Sequence, residues 1–414
     1  MRHIIIGGSV AGISAVKAVR ENDPSGDITV ISGEKTGPYY RPLIPLLIAG
    51  QKGERDIMYT EDPLREKNIT SVLGTVIGVD APKKEVLLAS GERLLFDSLL
   101  IATGGAALKP SIPGLEGNNV YPLRNMAQAL GIRDAAVTAK SVVVIGGGLV
   151  GIKAALALRE QGMSPGRAPR EVTVIEMLPE IMNGRLDRRG AAIVRTAVEQ
   201  KDIAVVTGQA VSGIIRTQSA LSGVKLRSGR MIKADLVVVA AGVKPNIAFL
   251  KGAGIKTSTG VLVNEYLQTN VADVFAAGDV VEGRELLSGK KTISGLWSNA
   301  LEMGRIAGMN MAGKKVKYPG FLSVMNATDI AGIPFISVGM IEPEGGRYET
   351  ISHEDENGYW KLVLDGEYLV GAVSVGDLRN AGIYTNLIKN RIPISRAKEK
   401  IIKKKAGYVD FLSV

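Results

Sequence analysis

Two glycine-rich phrases hold the residues best suited to chemistry in this chain of 414 residues. The first is Ile4-Ile5-Ile6-Gly7-Gly8-Ser9-Val10-Ala11-Gly12-Ile13, and the second is Val143-Val144-Ile145-Gly146-Gly147-Gly148-Leu149-Val150-Gly151-Ile152. Glycine at such a strand-to-helix turn lets backbone approach a pyrophosphate, whose charge then rests on the N-terminus of the following helix. The candidate contacts are Gly7, Gly8, Ser9, Ala11 and Gly12 at one site, and Gly146, Gly148, Leu149, Val150 and Gly151 at the other. Ser9 takes the place of a middle glycine and brings a hydroxyl donor. Each phrase is followed by a second apolar run and then an acid, Glu34 and Glu176. These acids are expected to accept hydrogen bonds from adenosine riboses, although either acid could simply cap a surface turn. A carboxylate at Glu176 also repels a 2′-phosphate, so NADH is expected over NADPH. Arg167 and Arg170, in the long connection before Val172, argue the other way.

Two adenine dinucleotides on one polypeptide imply hydride transfer between them. No acid–base pair is required, because rings stacked about 3 to 3.5 Å apart react chiefly through positioning. The chain has no cysteine. That excludes a disulfide framework, a redox thiol pair, a sulfenate and an iron–sulfur cluster ligated by this chain alone, so the next acceptor is expected to be a separate molecule. No metal site is expected either. Only two imidazoles exist, His3 before a buried-looking strand and His353 in an acidic stretch read as an exposed turn. Of a formal net charge of +10, eight cations (Lys389, Arg391, Arg396, Lys398, Lys400, Lys403, Lys404 and Lys405) lie in one C-terminal segment opposed only by Glu399. That segment is expected either to steer an acidic partner or to keep a helix in solution.

These residues need a particular set of elements to hold them. Ile4 to Ile6 reads as a buried parallel strand, Ala11 to Arg20 as a helix, and Ile28 to Ile31 as a second strand. Apolar alternation from Ser71 to Val79 and Lys84 to Leu88, then the run Leu94 to Ile101, predicts a small meander returning to the main sheet. The middle of the chain repeats this plan, with strands at Val142, Val172 to Ile175 and Leu236 to Val239 and a meander through Ile203, Val211 and Val224. Ala15 to Glu21 aligns with Ala154 to Glu160 at the same offset as the glycines, so the repeat covers whole domains. Val261 to Val263 and Val274 to Ala276 read as strands rejoining the first module, with a helix from Trp297 to Met311 behind them. Phe321 to Val414 reads as a smaller domain with strands Phe335 to Val338, Lys361 to Leu364 and Leu369 to Val375 and a basic terminal helix. Boundaries fall at Gly/Pro-marked connections. The first domain is expected at 1–112 and 245–318, the second at 113–244 and the third at 319–414. The first strand starts close to Met1 and no apolar run reaches the ~18 residues of a membrane span, so a cytoplasmic protein is expected.

An ordered set of further motifs carries a resemblance. Gly37-Pro38-Tyr39-Tyr40-Arg41-Pro42-Leu43, Ala102-Thr103-Gly104, Gly242-Val243-Lys244-Pro245-Asn246 and Val274-Phe275-Ala276-Ala277-Gly278-Asp279 occur in this order. The set resembles the two-dinucleotide flavoproteins with the glutathione-reductase-like fold, above all their NADH:rubredoxin oxidoreductase and nitrite-reductase-type branch, over roughly the first three quarters of the chain. The resemblance implies an α/β protein with two Rossmann-like FAD- and NAD(P)-binding domains and a small C-terminal α+β domain. It implies a flavin site from Gly7 to Gly12, Glu34, Arg41, Thr103 and Asp279, with Asp279 bonding the ribityl chain near the second phosphate. Pro42, Ala102, Gly104 and Gly278 belong to the same motifs, and Gly242 falls on the nicotinamide side.

The departures from the family pattern are also informative. Relatives that reduce disulfides carry a cysteine where this chain has Tyr40-Arg41-Pro42-Leu43-Ile44-Pro45. Where related reductases often place a glutamate pointing toward flavin and nicotinamide, this chain has Lys153, a cation that either stabilises charge on reduced flavin or only reaches solvent. Three functions follow as expectations. The first is an FAD-dependent NADH oxidoreductase serving rubredoxin or ferredoxin. The second is an NADH oxidase reducing oxygen to peroxide. The third is a redox-responsive flavoprotein binding a partner subunit or nucleic acid, with nucleic acid disfavoured because only Tyr408 accompanies the basic run. Dimerisation through the C-terminal domain is expected by analogy alone.

Overall fold

The computed structural model describes residues 1–163, 170–395 and 397–411. Arg167 and Arg396 lie outside the described residues, and Tyr408 is described in its backbone only. The chain packs as two units, one formed by Met1–Pro42, Glu54–Ala106 and Val243–Ser323, the other by Leu43–Gly53, Ala107–Gly242 and Val324–Val414. The expected second and third domains therefore share a unit, and a short piece of the expected first domain, Leu43–Gly53, packs with them.

In the first unit a five-stranded parallel sheet runs in the order Val274–Ala276, Ser98–Ile101, Arg2–Ile6, Asp27–Ser32, Ile69–Leu73. Ile4, Ile5 and Ile6 are buried on both faces, as an unbroken β-branched run in a covered parallel sheet must be. The helices Val10–Asn22 and Trp297–Met311 pack unusually closely. A Cβ on Gly304 would lie 2.1 Å from the Ala11 carbonyl oxygen, and one on Gly308 would lie 2.6 Å from that of Ala15. The Ser14 hydroxyl donates to the Leu301 carbonyl at 2.8 Å across the same contact.

The second unit repeats the sheet in the order Ile203–Val206, Glu171–Ile175, Ser141–Ile145, Leu236–Val239, Val120–Pro122, again all parallel. Its C-terminal part is an antiparallel sheet ordered Met325–Ile330, Ile333–Gly339, Tyr368–Val375, Gly358–Asp365, Glu349–Asp355. Asp187 joins this sheet to the helix Arg188–Glu199, capping the helix through the Gly190 amide at 3.2 Å and accepting the buried Tyr359 hydroxyl at 2.5 Å.

Several expectations need correction. The run Ser71 to Val79 is two strands broken at Gly74, since Val72 pairs with Ile31 in the parallel sheet whereas Val79 pairs with Val86 in a meander. Leu94 to Ile101 divides likewise into Arg93–Leu95 in the meander and Ser98–Ile101 in the main sheet. Ile203 belongs to the second parallel sheet and not to a meander. Val261–Leu262 pairs with Val281–Arg284 in a small separate sheet. His353 lies on the edge strand Glu349–Asp355, and the basic terminal helix is only Lys398–Ile402.

Candidate functional site

Each unit carries a cradle at the C-terminal end of its central strand. In the first, Gly7 has φ 121°, and a Cβ there would lie 2.1 Å from the Ala102 carbonyl oxygen. Gly12 packs its Cα against the turn, since a Cβ would sit 1.8 Å from the Gly7 oxygen. The helix Val10–Asn22 begins at Ser9, which has extended backbone and makes no side-chain cap. Its first amides thus have no capping side chain, the condition under which a helix N-terminus receives phosphate. Gly278, at φ 81°, brings the strand Val274–Ala276 up against Ala11 and Ala300, where Cβ atoms would approach to 3.1 and 3.6 Å. Half-buried Asp279 follows at once. Thr103 and Asn246 tie two of the motif segments together by reciprocal bonds of 2.9 Å, and Gly104 accepts from the Asn246 amide.

Glu34 is engaged with two neighbours. Its Oε2 accepts from the Tyr39 hydroxyl at 2.7 Å and its Oε1 from Arg41 Nη2 at 2.6 Å. Burial opposes the Arg41 charge, but Tyr39, Glu34 and Asp279 outweigh it and hold its pKa above the usual arginine value. Pro42 is exposed beside it. In the sequence Tyr39 is marked only by its place in a motif, and side-chain geometry reveals its part.

The second cradle repeats the construction. Gly146 has φ 114°, with a Cβ position 2.4 Å from the Ala240 oxygen, and a Cβ on Gly151 would lie 1.9 Å from the Gly146 oxygen. The helix Leu149–Gln161 starts at Gly148, around which a Cβ would meet nothing within 4 Å. Gly242 closes the strand Leu236–Val239 side with φ 116°. The Glu176 carboxylate is held by backbone, accepting the Gly147 amide at 2.6 Å and the Leu178 amide at 2.9 Å. Val150, Met177 and Leu178 nearby in sequence are exposed apolar side chains. The registers Ile6↔Ile31 and Ile145↔Ile175 make Ser32 the positional equivalent of Glu176, so Glu34 stands two residues further along.

This pair of cradles can be set beside known proteins. The family model described as pyridine nucleotide-disulphide oxidoreductase matches residues 1–304, and that of the rubredoxin NAD+ reductase C-terminal domain matches 325–392. The chain is 30% identical to the NADH-dependent phenylglyoxylate dehydrogenase subunit epsilon of Aromatoleum evansii, covering 97% of this chain and 94% of that protein. It is also 30% identical to the NADH-rubredoxin oxidoreductase of Clostridium acetobutylicum, over 91% of each. Among solved structures, a NAD-dependent persulfide reductase from A. fulgidus superposes with a TM-score of 0.89 at 27% identity, over 96% of this chain and 79% of that one. The chain belongs to the pyridine nucleotide-disulphide oxidoreductase family.

The family binds a flavin and NAD(P)H, and both cradles fit that pair: tight glycine turns, uncapped helix starts and an acid beside each. This member departs from the family name in having no cysteine. Two expectations about its cations change. Arg170, which in the sequence argues against a preference for NADH, is 3% exposed. It donates to the Ala139 carbonyl at 3.1 Å, to Gln161 Oε1 at 3.1 Å and to the carbonyls of Ala136 and Leu158. It is a structural cation, unable to meet a 2′-phosphate. Four of the eight cations of the basic C-terminal segment are ion-paired among the described residues: Lys398 with Glu349, Lys400 with Asp410, Lys403 with Glu399 and Lys404 with Asp377. Its capacity to steer a partner is correspondingly smaller than its composition suggests.

Lys153 is half-buried on the helix Leu149–Gln161. Burial pushes its ammonium below the ordinary lysine value, and Asp329 of the strand Met325–Ile330 pulls the other way, supplying the compensation that a cation in an early helical turn calls for. His3 is fully buried and bonds Asp23 at 3.0 Å, a structural role. Among the described residues no helix is long and apolar enough to cross a membrane.

Proposed function

We propose that this chain is an FAD-dependent NADH oxidoreductase that delivers electrons to a separate small iron–sulfur protein of the rubredoxin or ferredoxin class. The observation that carries the reading is the pairing of two complete dinucleotide cradles with a total absence of cysteine. Bound FAD would supply the two-electron chemistry, accepting hydride from NADH and releasing electrons singly. Gly7, Gly8, Ser9, Ala11 and Gly12 would hold its pyrophosphate on backbone amides. Arg41 would add a cation, Asp279 would accept from the ribityl hydroxyls, and Ala102, Thr103, Gly104, Pro42 and Gly278 would shape the wall. In the second cradle Gly146, Gly148, Leu149, Val150 and Gly151 would hold the NADH pyrophosphate, with Gly242 alongside.

Glu176, anchored by two amides, would accept the adenosine ribose hydroxyls and repel a 2′-phosphate, which supports NADH over NADPH. Lys153 would offer positive charge where reduction makes the redox centre more negative. The match to a rubredoxin NAD+ reductase C-terminal domain and the similarity to an NADH-rubredoxin oxidoreductase support the choice of acceptor. A cytoplasmic location and a homodimer formed through the C-terminal domain go with this reading, to be tested by fractionation and sedimentation.

The test is an anaerobic titration. The purified chain should show flavin absorbance that bleaches on NADH addition and returns when oxidised rubredoxin or ferredoxin is added. Flavin that NADH leaves oxidised, or that only oxygen reoxidises, refutes the proposal.

A further inference from the structure

We infer that Tyr39 is a positioning residue for the flavin cradle: through the Glu34 carboxylate it fixes the guanidinium of Arg41 in place before any cofactor arrives. The inference rests on the flavin reading of the first cradle and adds to it a residue and a second duty for Glu34.

Three side chains form a closed triangle in which each touches the other two. Tyr39 donates to Glu34 Oε2 at 2.7 Å, Arg41 Nη2 donates to Glu34 Oε1 at 2.6 Å, and the Arg41 guanidinium carbon lies 5.1 Å from the centre of the Tyr39 ring. The most firmly held corner is Tyr39. It is 6% exposed, and its backbone is bridged to Met58, with the Tyr40 amide bonded to Ile57 and the Tyr59 amide to Pro38 on either side. Glu34 and Arg41 are both long side chains, 33% and 20% exposed, and an ion pair between two such chains is ordinarily weak because each must be ordered. A phenol donating from a fixed ring selects one carboxylate rotamer, and that rotamer presents its second oxygen to Arg41. The guanidinium is then ordered from both sides, by the carboxylate and by the ring face.

The arrangement answers an electrostatic difficulty. Glu34 and Asp279 both carry the sign of a pyrophosphate, and both act on Arg41. Without a fixed cation between them, two carboxylates would oppose an anionic ligand. A preset Arg41 offsets them with no further ordering when the ligand binds, which is where preorganisation gains affinity. Glu34 keeps lone pairs for a ribose, since a carboxylate accepts about four hydrogen bonds and two are used here.

The experiment titrates the flavin-freed full chain with FAD, following quenching of flavin fluorescence, for the wild type, Tyr39→Phe, Arg41→Gln and the double variant. Tyr39→Phe should weaken FAD binding about tenfold and Arg41→Gln at least as much, while the double variant binds no worse than Arg41→Gln. Losses that multiply in the double variant, or an unchanged Tyr39→Phe, overturn the inference. FMN, which has a phosphate and no adenosine, provides the second arm. Glu34→Gln should weaken FMN as well as FAD, whereas FMN affinity untouched by Glu34→Gln would confine Glu34 to the ribose and overturn the inference. If Tyr39→Phe folds poorly, the cycle between Glu34→Gln and Arg41→Gln tests the triangle from its other side. A wild-type chain that takes up no FAD sinks the flavin reading itself, whereas FAD bound equally by wild type and Tyr39→Phe sinks only the inference.

Discussion

The assignment of one cofactor to each cradle is tested most sharply by two matched substitutions, Gly12→Ala and Gly151→Ala. Each adds one methyl group at the same place in the repeated motif. The new carbon would lie 1.8 Å from the Gly7 oxygen in one case and 1.9 Å from the Gly146 oxygen in the other, against the 3.4 Å at which ordinary contact begins. Helix and turn must therefore separate by about 1.5 Å in either variant. The obstacle is backbone, so no side-chain rotation relieves it. Overpacking of this kind costs about 1–3 kcal/mol of stability, within the margin of a typical domain, so both variants should fold.

Function should suffer far more, because a displacement of about 1 Å in a positioned ligand can lower a rate about 100-fold. Gly151→Ala should keep a full complement of flavin by absorbance while kcat/KM for NADH falls about 100-fold in anaerobic stopped-flow reduction. Gly12→Ala should be purified with little flavin. Loss of flavin from Gly151→Ala, or NADH-dependent reduction at the wild-type rate in that variant, would refute the two-cradle assignment. Melting temperatures of both variants guard against a trivial loss of fold.

Further outcomes follow from individual side chains. Glu176→Gln removes one negative charge, and if a 2′-phosphate would lie roughly 5 Å away in a partly wet site, the ratio of kcat/KM for NADPH over NADH should rise about tenfold. Arg170→Met should destabilise the chain by about 2–4 kcal/mol in urea unfolding, because the carbonyls of Ala136, Ala139 and Leu158 lose a buried donor, and should leave the NADPH to NADH ratio unchanged. Burial lowers the Lys153 pKa, so folding penalises its charged form below the folded pKa, and the penalty fades as pH rises toward the ordinary lysine value of 10.5. Lys153→Met should accordingly be more stable than the wild type near neutral pH, with the difference shrinking toward pH 10.5. A difference that is constant with pH would refute that account.

The sheets and cradles were legible because their signals are local. Ile4 to Ile6 and Val142 to Ile145 are unbroken apolar runs ending at glycine, and a buried parallel strand has few other ways to be written. The breaks at Gly74 and before Ser98 were not legible, since apolar alternation spans the first and one apolar run spans the second, and only tertiary pairing divides them between two sheets. Glu349–Asp355 gave no apolar signal because it is an edge strand, largely exposed. Arg170 could face a phosphate or a set of carbonyls on sequence alone, and burial decides between them. The pairing of the C-terminal segment is hidden in the sequence for a related reason. Glu349 and Asp377, which neutralise two of its lysines, lie far from it in sequence, so no spacing rule connects them.

The two cradles share a construction and differ in how they are finished. Around the first, Gly278 packs against Ala11 and Ala300, half-buried Asp279 follows it, and Tyr39, Glu34 and Arg41 bond one another. Around the second, Gly148 faces open space, Glu176 is held by backbone amides alone, and Val150, Met177 and Leu178 leave apolar surface bare to solvent. A site with a preset cation favours slow release, since part of its ordering cost is met before binding. An open site with a rigid carboxylate and exposed apolar walls recognises adenosine without enclosing it, which favours rapid exchange. At the equivalent strand end the first cradle has Ser32 and the second has Glu176. On the proposed reading, divergence at that position, with Glu34 two residues further on, would let a repeated fold keep one dinucleotide through every turnover and release the other.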